Sequence, residues 1–203
     1  MNILIIDTTS MGIRLALGRG GVVGANNHLP LQKFVPTEKQ SLSLPTETEK
    51  FLGENGVAFR DLTAIGVVVG PGSFTGIRLG IAYAKGLSIG LGIPVIPVNA
   101  FEIYLEKSPD AFVAIDSGRG DFFVGAMGMP PAVMTIDDIE TEQMKYAKTV
   151  GHRPYDLADA IPIVERKLTR LRQGYGGQAA GAQEPVIPLY LRPHYAEKSN
   201  VEK

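Results

Sequence analysis

The chain has 203 residues, 44% of them hydrophobic and 20% charged, with a formal net charge of −1. That is enough apolar material for a large core in one domain or two small lobes, while the balanced charge argues against a chain that grips nucleic acid by itself, which would show a basic surplus. Cysteine is absent, which excludes disulfides, thiolate zinc sites and cysteine nucleophiles; this fits a reducing cytosol, and a cytoplasmic location is expected.

Met1 to Asp7 reads as a strand and not as a signal peptide, because it lacks a basic start and its apolar run is short. The longest apolar stretches are broken by Gly, Lys and Pro, so no transmembrane helix is expected. Gly12 to Leu17 alternates Ile13, Leu15 and Leu17 against Arg14 and Ala16, the pattern of a second strand. Val22 to Ala25 is expected to add a third. Glu38 to Leu52 is helix-like, with Leu42, Leu44, Phe51 and Leu52 as apolar positions and Pro45 as an interruption. Ala64 to Val69 is a strand, Thr75 to Gly90 a helix and Pro94 to Val98 a short strand. Asn99 is placed to cap a helix running to Glu106.

The run from Gly70 to Gly80, Gly-Pro-Gly-Ser-Phe-Thr-Gly-Ile-Arg-Leu-Gly, joins the strand at 64–69 to the helix that follows. Ser73 and Thr75 are suitable N-caps, and the partial positive charge of a helix start lets such a turn hold an anion. The Walker pattern is excluded, since no lysine stands in the run. After residue 110 the pattern restarts. Ala111 to Ala126 aligns with Asn2 to Leu17, placing Asp116 on Asp7, Ser117 on Thr8, Ile115 on Ile6 and Val124 on Leu15. Each copy is an apolar strand, an acidic-hydroxyl turn and a returning strand, so two related lobes are expected. Further on, Pro154 to Arg172 has Leu157, Ile161, Val164, Leu168 and Leu171 at helical spacing, with a kink expected at Pro162. Gln173 to Gln183 is a Gly/Gln/Ala segment expected to act as a linker, and Pro185 to Ala196 is apolar and aromatic again.

The residues restrict the chemistry. His28, His152 and His194 are too far apart in sequence for a helical metal-ligand pair, so no metal site is expected. Neither His-Glu-x-x-His nor the Gly-x-Ser-x-Gly elbow occurs. Ser73 is either a cap or a nucleophile with a distant base. Asp7 and Asp116 either hold their own turns together or face nucleotide phosphates, and the Asp116 turn, with Arg119, Gly118 and Gly120, is the better phosphate candidate. Gly76, Gly80, Ala84 and Ser88 form a stripe of small residues with Ile77 and Ile81 beside it. That stripe packs either on the chain's own sheet or on a partner helix.

The Gly70–Gly80 run resembles the hallmark of the bacterial TsaB (YeaZ) family, and the duplicated strand–Asp turn–strand unit resembles the actin-like ATPase (ASKHA) superfamily, to which that glycoprotease-like family belongs. Pro185 to Ala196 is similar to the closing Pro-x-Tyr-Leu-Arg segment of the family. The resemblance implies an α/β fold of two actin-like (ribonuclease H-like) lobes, each a mixed sheet flanked by helices, here 1–100 and 101–203. It also implies a non-catalytic subunit that binds and activates the TsaD ligase, which places threonylcarbamoyl on the tRNA adenosine beside the anticodon. The TsaE ATPase would be a further partner, a homodimer would form when TsaD is absent, and tRNA would be met only through the complex. No cofactor is expected on the chain alone, with ATP or ADP confined to a complex interface. On this reading the interface residues are Leu42, Leu44, Gly76, Ile77, Gly80, Ile81, Ala84 and Ser88. Asp7, Thr8, Gly70, Gly72, Ser73, Thr75, Gly76, Arg78, Asp116, Ser117 and Arg119 make up the family motif and its anion-binding candidates. The alternative is an enzyme, an actin-like small-molecule kinase or a glycoprotease-type peptidase. The chain departs from the family at Lys39-Gln-Ser-Leu-Ser-Leu-Pro45, where the family reads His-Ser-x-x-Leu-Leu-Pro and the histidine is missing.

Overall fold

Ile3 to Ile6 of strand β1 (Asn2–Asp7) are all buried, because both faces of this central strand are covered. β2 (Ile13–Arg19) returns antiparallel to β1, with Ile5 opposite Ala16. β3 (Leu31–Val35) pairs antiparallel with β2 at one edge. On the other side β4 (Ala64–Val68) runs parallel to β1, and β5 (Val95–Val98) parallel to β4. The sheet order is therefore β3-β2-β1-β4-β5. The computed structural model describes residues 1–19, 31–173 and 185–192. The strand expected at 22–25 and nearly all of the linker expected at 173–183 lie outside the described residues.

Helices α1 (Gln40–Glu54) and α2 (Phe74–Leu91) cover one face of this sheet. Pro45 does not interrupt α1: the helix runs through it, and Leu44, Thr48, Phe51 and Leu52 still turn one buried face to the core. Burial of that face outweighs one lost backbone hydrogen bond. α3 (Ala100–Lys107) starts at Asn99 with a reciprocal capping box to Glu102. α3 and α5 (Ala160–Gln173) cover the opposite face of the same sheet, where Ile103, Ile161, Val164 and Leu168 meet Ile3, Ile5 and Ile96. Pro162 lies in the first turn of α5, where a missing N–H costs nothing, so the expected kink is not present.

The second sheet repeats the first in plan. β6 (Phe112–Asp116) and β7 (Phe122–Ala126) form the antiparallel hairpin expected from the repeat, β8 (Met129–Met134) adds antiparallel to β7, and β9 (Thr149–Val150) lies parallel to β6. The order β8-β7-β6-β9 mirrors β3-β2-β1-β4. α4 (Ile136–Glu142) closes this sheet by packing Ile139 with Phe112 and Val124. The sequence reading did not identify β3, β8, α4 or β9. Pro130 and Pro131 disguise β8, and prolines are tolerated there because the strand is an edge.

Candidate functional site

The two aspartate turns, alike in sequence, are built differently. In the first, Asp7 is buried and every contact it makes is internal. Its Oδ1 accepts from the Thr9 amide at 2.9 Å and the Thr9 hydroxyl at 2.7 Å. Its Oδ2 accepts from Arg14 Nη1 at 3.1 Å and from the Tyr155 hydroxyl at 2.7 Å. The Arg14 guanidinium lies 4.5 Å from the centroid of the Tyr155 ring and also donates to the Tyr155 carbonyl. Burial, with the Asp7 charge beside it, pushes the Tyr155 hydroxyl well above its ordinary pKa. Neither Arg14 nor Tyr155 stood out in the sequence. The turn is also tied to α1, since Gln40 Nε2 donates to the carbonyl oxygens of Ser10, at 2.9 Å, and Gly12.

The glycine run seats α2 directly on this turn. Thr8 Oγ1 donates to the Gly76 carbonyl at 2.7 Å, and the Ser73 amide donates to the Thr9 carbonyl at 2.7 Å. A Cβ on Gly72 would overlap the Thr9 carbonyl oxygen, and one on Gly76 would overlap that of Thr8. The helix start therefore faces carbonyl oxygens of the first turn. Ser73 caps the helix, its Oγ accepting from the Gly76 amide at 3.2 Å, whereas Thr75 lies inside the helix and is exposed. Gly70 is buried behind the turn.

In the second turn Asp116 is exposed, its Oδ1 accepting from the Gly118 amide at 2.7 Å. Ser117 Oγ accepts from the Arg119 amide at 3.2 Å and donates to Asp121 Oδ1. Arg78, exposed on α2, does not point to either turn; its guanidinium covers the Phe74 ring at 3.8 Å and donates from Nε to the Tyr190 hydroxyl at 2.8 Å.

The stripe of small residues on α2 meets the chain's own sheet. Gly76, Ile77, Gly80, Ile81 and Ala84 are buried, and a Cβ on Gly80 would stand 2.5 Å from Thr8 Oγ1. These five residues cannot line an interface, because β1 and β4 already occupy their face. Ser88 donates its hydroxyl to the Ile93 carbonyl at 2.6 Å and serves the end of the helix. The outward side of the helix pair carries a different set. A shallow, mostly apolar groove of about 410 Å³ runs between α1 and α2, lined by Ser41, Leu44, Pro45, Leu79, Ala82, Tyr83, Gly86 and Leu87. Of the expected interface residues, Leu44 is in its floor and Leu42 is 73% exposed on α1, while Ile89 on α2 is 85% exposed.

Two mixed sheets with a repeated strand order, flanked by helices and each opening on an aspartate turn, define an actin-like, ribonuclease H-like α/β protein. The same fold is found in solved structures from Pseudomonas aeruginosa, YeaZ (TM-score 0.67) and an uncharacterised protein with similarity to peptidase YEAZ (TM-score 0.68), each 20% identical and covering 94% of this chain and 99% of its own. A family model described as "TsaD: tRNA N6-adenosine threonylcarbamoyltransferase" matches residues 34–165. The chain belongs to that family, and its named relatives include TsaB proteins as well as tRNA N6-adenosine threonylcarbamoyltransferases. The tRNA threonylcarbamoyladenosine biosynthesis protein TsaB of Escherichia coli K12 is 37% identical over 99 residues, 49% of this chain and 40% of that protein. Its namesake in Bacillus subtilis 168 is 32% identical over 129 residues, 62% of this chain and 54% of that protein. The chain thus matches about half the length of these curated relatives. An uncharacterised protein of Mycobacterium tuberculosis H37Rv is 28% identical along 94% of this chain and 91% of its own length. Among the described residues no helix is long and apolar enough to cross a membrane.

Proposed function

We propose that this protein is an accessory, non-catalytic subunit in threonylcarbamoyl modification of tRNA, acting by binding TsaD. The observation that carries the reading is the apolar groove between α1 and α2, two helices that also expose Leu42 and Ile89 to solvent. Exposed large apolar side chains around a groove cost solvation unless a protein surface covers them. The sealed first turn supports the same reading, because a buried Asp7 engaged by Thr9, Arg14 and Tyr155 has no lone pair directed at a substrate. The names of the relatives support a role in that process. The chain's net charge of −1 leaves tRNA contact to the complex.

On this reading the helix pair docks on the active shape of TsaD in preference to its inactive shapes. A subunit shifts such an equilibrium by its differential affinity and needs no chemistry of its own. TsaE joins the assembled pair, any ATP or ADP binds where subunits meet, and without TsaD the same groove closes against a second copy of this chain. The test is a reconstitution from purified chain, TsaD and TsaE of the same organism, threonylcarbamoyl-adenylate and unmodified tRNA. Modification that requires this chain, with the chain alone inactive, is the expected result. Modification at the same rate without the chain overturns the proposal.

A further inference from the structure

Residues 185–192 run between the two halves of the molecule and hold each by different atoms. On the first half, Val186 is buried in the core beneath α1 and α2, and the Leu189 amide donates to the Val69 carbonyl at 2.8 Å. Tyr190 stacks on Phe74 with ring centroids 4.9 Å apart, and its hydroxyl accepts from Arg78. On the second half, Arg192 Nη2 donates to Ser117 Oγ at 2.9 Å and pairs with Asp121, and its guanidinium lies 5.5 Å from the Phe123 ring centroid. Since Ser117 and Asp121 are bonded to each other, the guanidinium completes a three-membered polar cluster on the second turn.

The two ends of this segment differ in strength. The first-half end is anchored by the buried Val186 and by the backbone hydrogen bond of Leu189, with the exposed Tyr190 lying on Phe74. The second-half end rests on the partly exposed Arg192 guanidinium alone, whose ion pair is screened by salt. A further seam between the halves is apolar, where Phe101 of α3 packs on Gly125 of β7. Apolar seams are non-directional and tolerate rotation better than charge-assisted hydrogen bonds do.

We propose that Pro185–Arg192 is a latch that fixes the spacing of the two aspartate turns, with Arg192 as its closing residue. Opening it frees the sheet of β6 to β9 to pivot about the Phe101 seam while the Val186 end stays anchored. The absence of native cysteine makes the test direct. Spin labels on Lys50→Cys, in α1, and Glu140→Cys, in α4, report the distance between the halves by pulsed dipolar spectroscopy, both positions being exposed. The latched chain is expected to show a narrow distance distribution, and Arg192→Ala a shifted and broadened one. A folded Arg192→Ala whose distribution superimposes on the parent overturns the proposal. Should Arg192→Ala fail to fold, Asp121→Asn, which leaves the whole segment in place, is judged by the same criterion.

Discussion

Thr8 donates its hydroxyl to the Gly76 carbonyl at 2.7 Å, while its own carbonyl oxygen fills the space where a Gly76 side chain would begin. These residues are 68 positions apart, and their contact seats α2 on the turn that follows β1. Hydroxyl and glycine are both needed there, one to satisfy the carbonyl and the other to admit it.

Gly76→Ala is therefore expected to destabilise the fold by about 3 kcal/mol, the upper part of the range for overpacking, because the obstacle is backbone and cannot rotate away. Gly86→Ala, on the same helix with nothing within 4 Å of the new methyl, is expected to stabilise by about 0.5–1 kcal/mol through helix propensity. Urea unfolding of the two variants checks the pair; equal effects would mean that α2 is not seated on Thr8.

Arg14→Met leaves the Asp7 carboxylate buried without its cation and is expected to cost about 3 kcal/mol. Tyr155→Phe removes one hydrogen bond to the same carboxylate and is expected to cost about 1.5–2 kcal/mol. Denaturant titrations at neutral pH give the order, and a larger loss in Tyr155→Phe would contradict it.

The same tyrosine sets an alkaline limit. Its folded pKa is raised above the ordinary 10.0, chiefly by burial, so above that value the unfolded chain releases a proton that the folded chain retains. Stability is then lost as pH rises beyond the ordinary tyrosine range. The slope of stability against pH in that range is expected to be shallower in Tyr155→Phe, measured by thermal melts.

Glu106 and Arg166 join α3 to α5 by two bonds, of 2.7 and 2.6 Å. The arginine's hydrogen bonds hold the Glu106 carboxyl below its ordinary range. Unfolding raises that pKa, so the pair stabilises the fold above the ordinary carboxylate range, and its contribution is lost as pH falls through the folded pKa. Because both side chains are part-exposed, the contribution is expected to stay under about 1 kcal/mol. Glu106→Gln should flatten part of the acid limb of the stability profile.

Ala82→Asp places a charge in the groove at an exposed position. Its effect on stability is expected to be below about 0.5 kcal/mol, with the proposed pairing to TsaD weakened at least about ten-fold, or 1.4 kcal/mol. Calorimetric titration beside a thermal melt separates the two. Unchanged affinity in a folded Ala82→Asp would move the interface away from this groove.

Much of this architecture was legible in residue order because its causes are local. The apolar run of β1, the Asn99 cap and the matching hairpins at 2–17 and 111–126 each follow from neighbouring residues. The edge strands were not legible: β8 carries two prolines and β9 has only two residues, so neither shows a strand period. Arg14 and Tyr155 were not legible as a site, since nothing in a sequence brings residue 155 to residue 7.

By itself the sequence determined the repeat, the glycine turn and the helix stripe, because periodicity, capping and turn chemistry act within a few residues. It left two alternatives open for the stripe and two for the aspartates. Tertiary packing decided the stripe and the first aspartate. The stripe turned inward because the carbonyl of Thr8 needed room that only Gly76 leaves. Asp7 was sealed because Arg14 and Tyr155 converge on it, whereas Asp116, with no such pair over it among the described residues, remained at the surface. Two turns of the same local pattern differ because their distant neighbours differ, and those neighbours are chosen by how the whole chain buries its apolar surface.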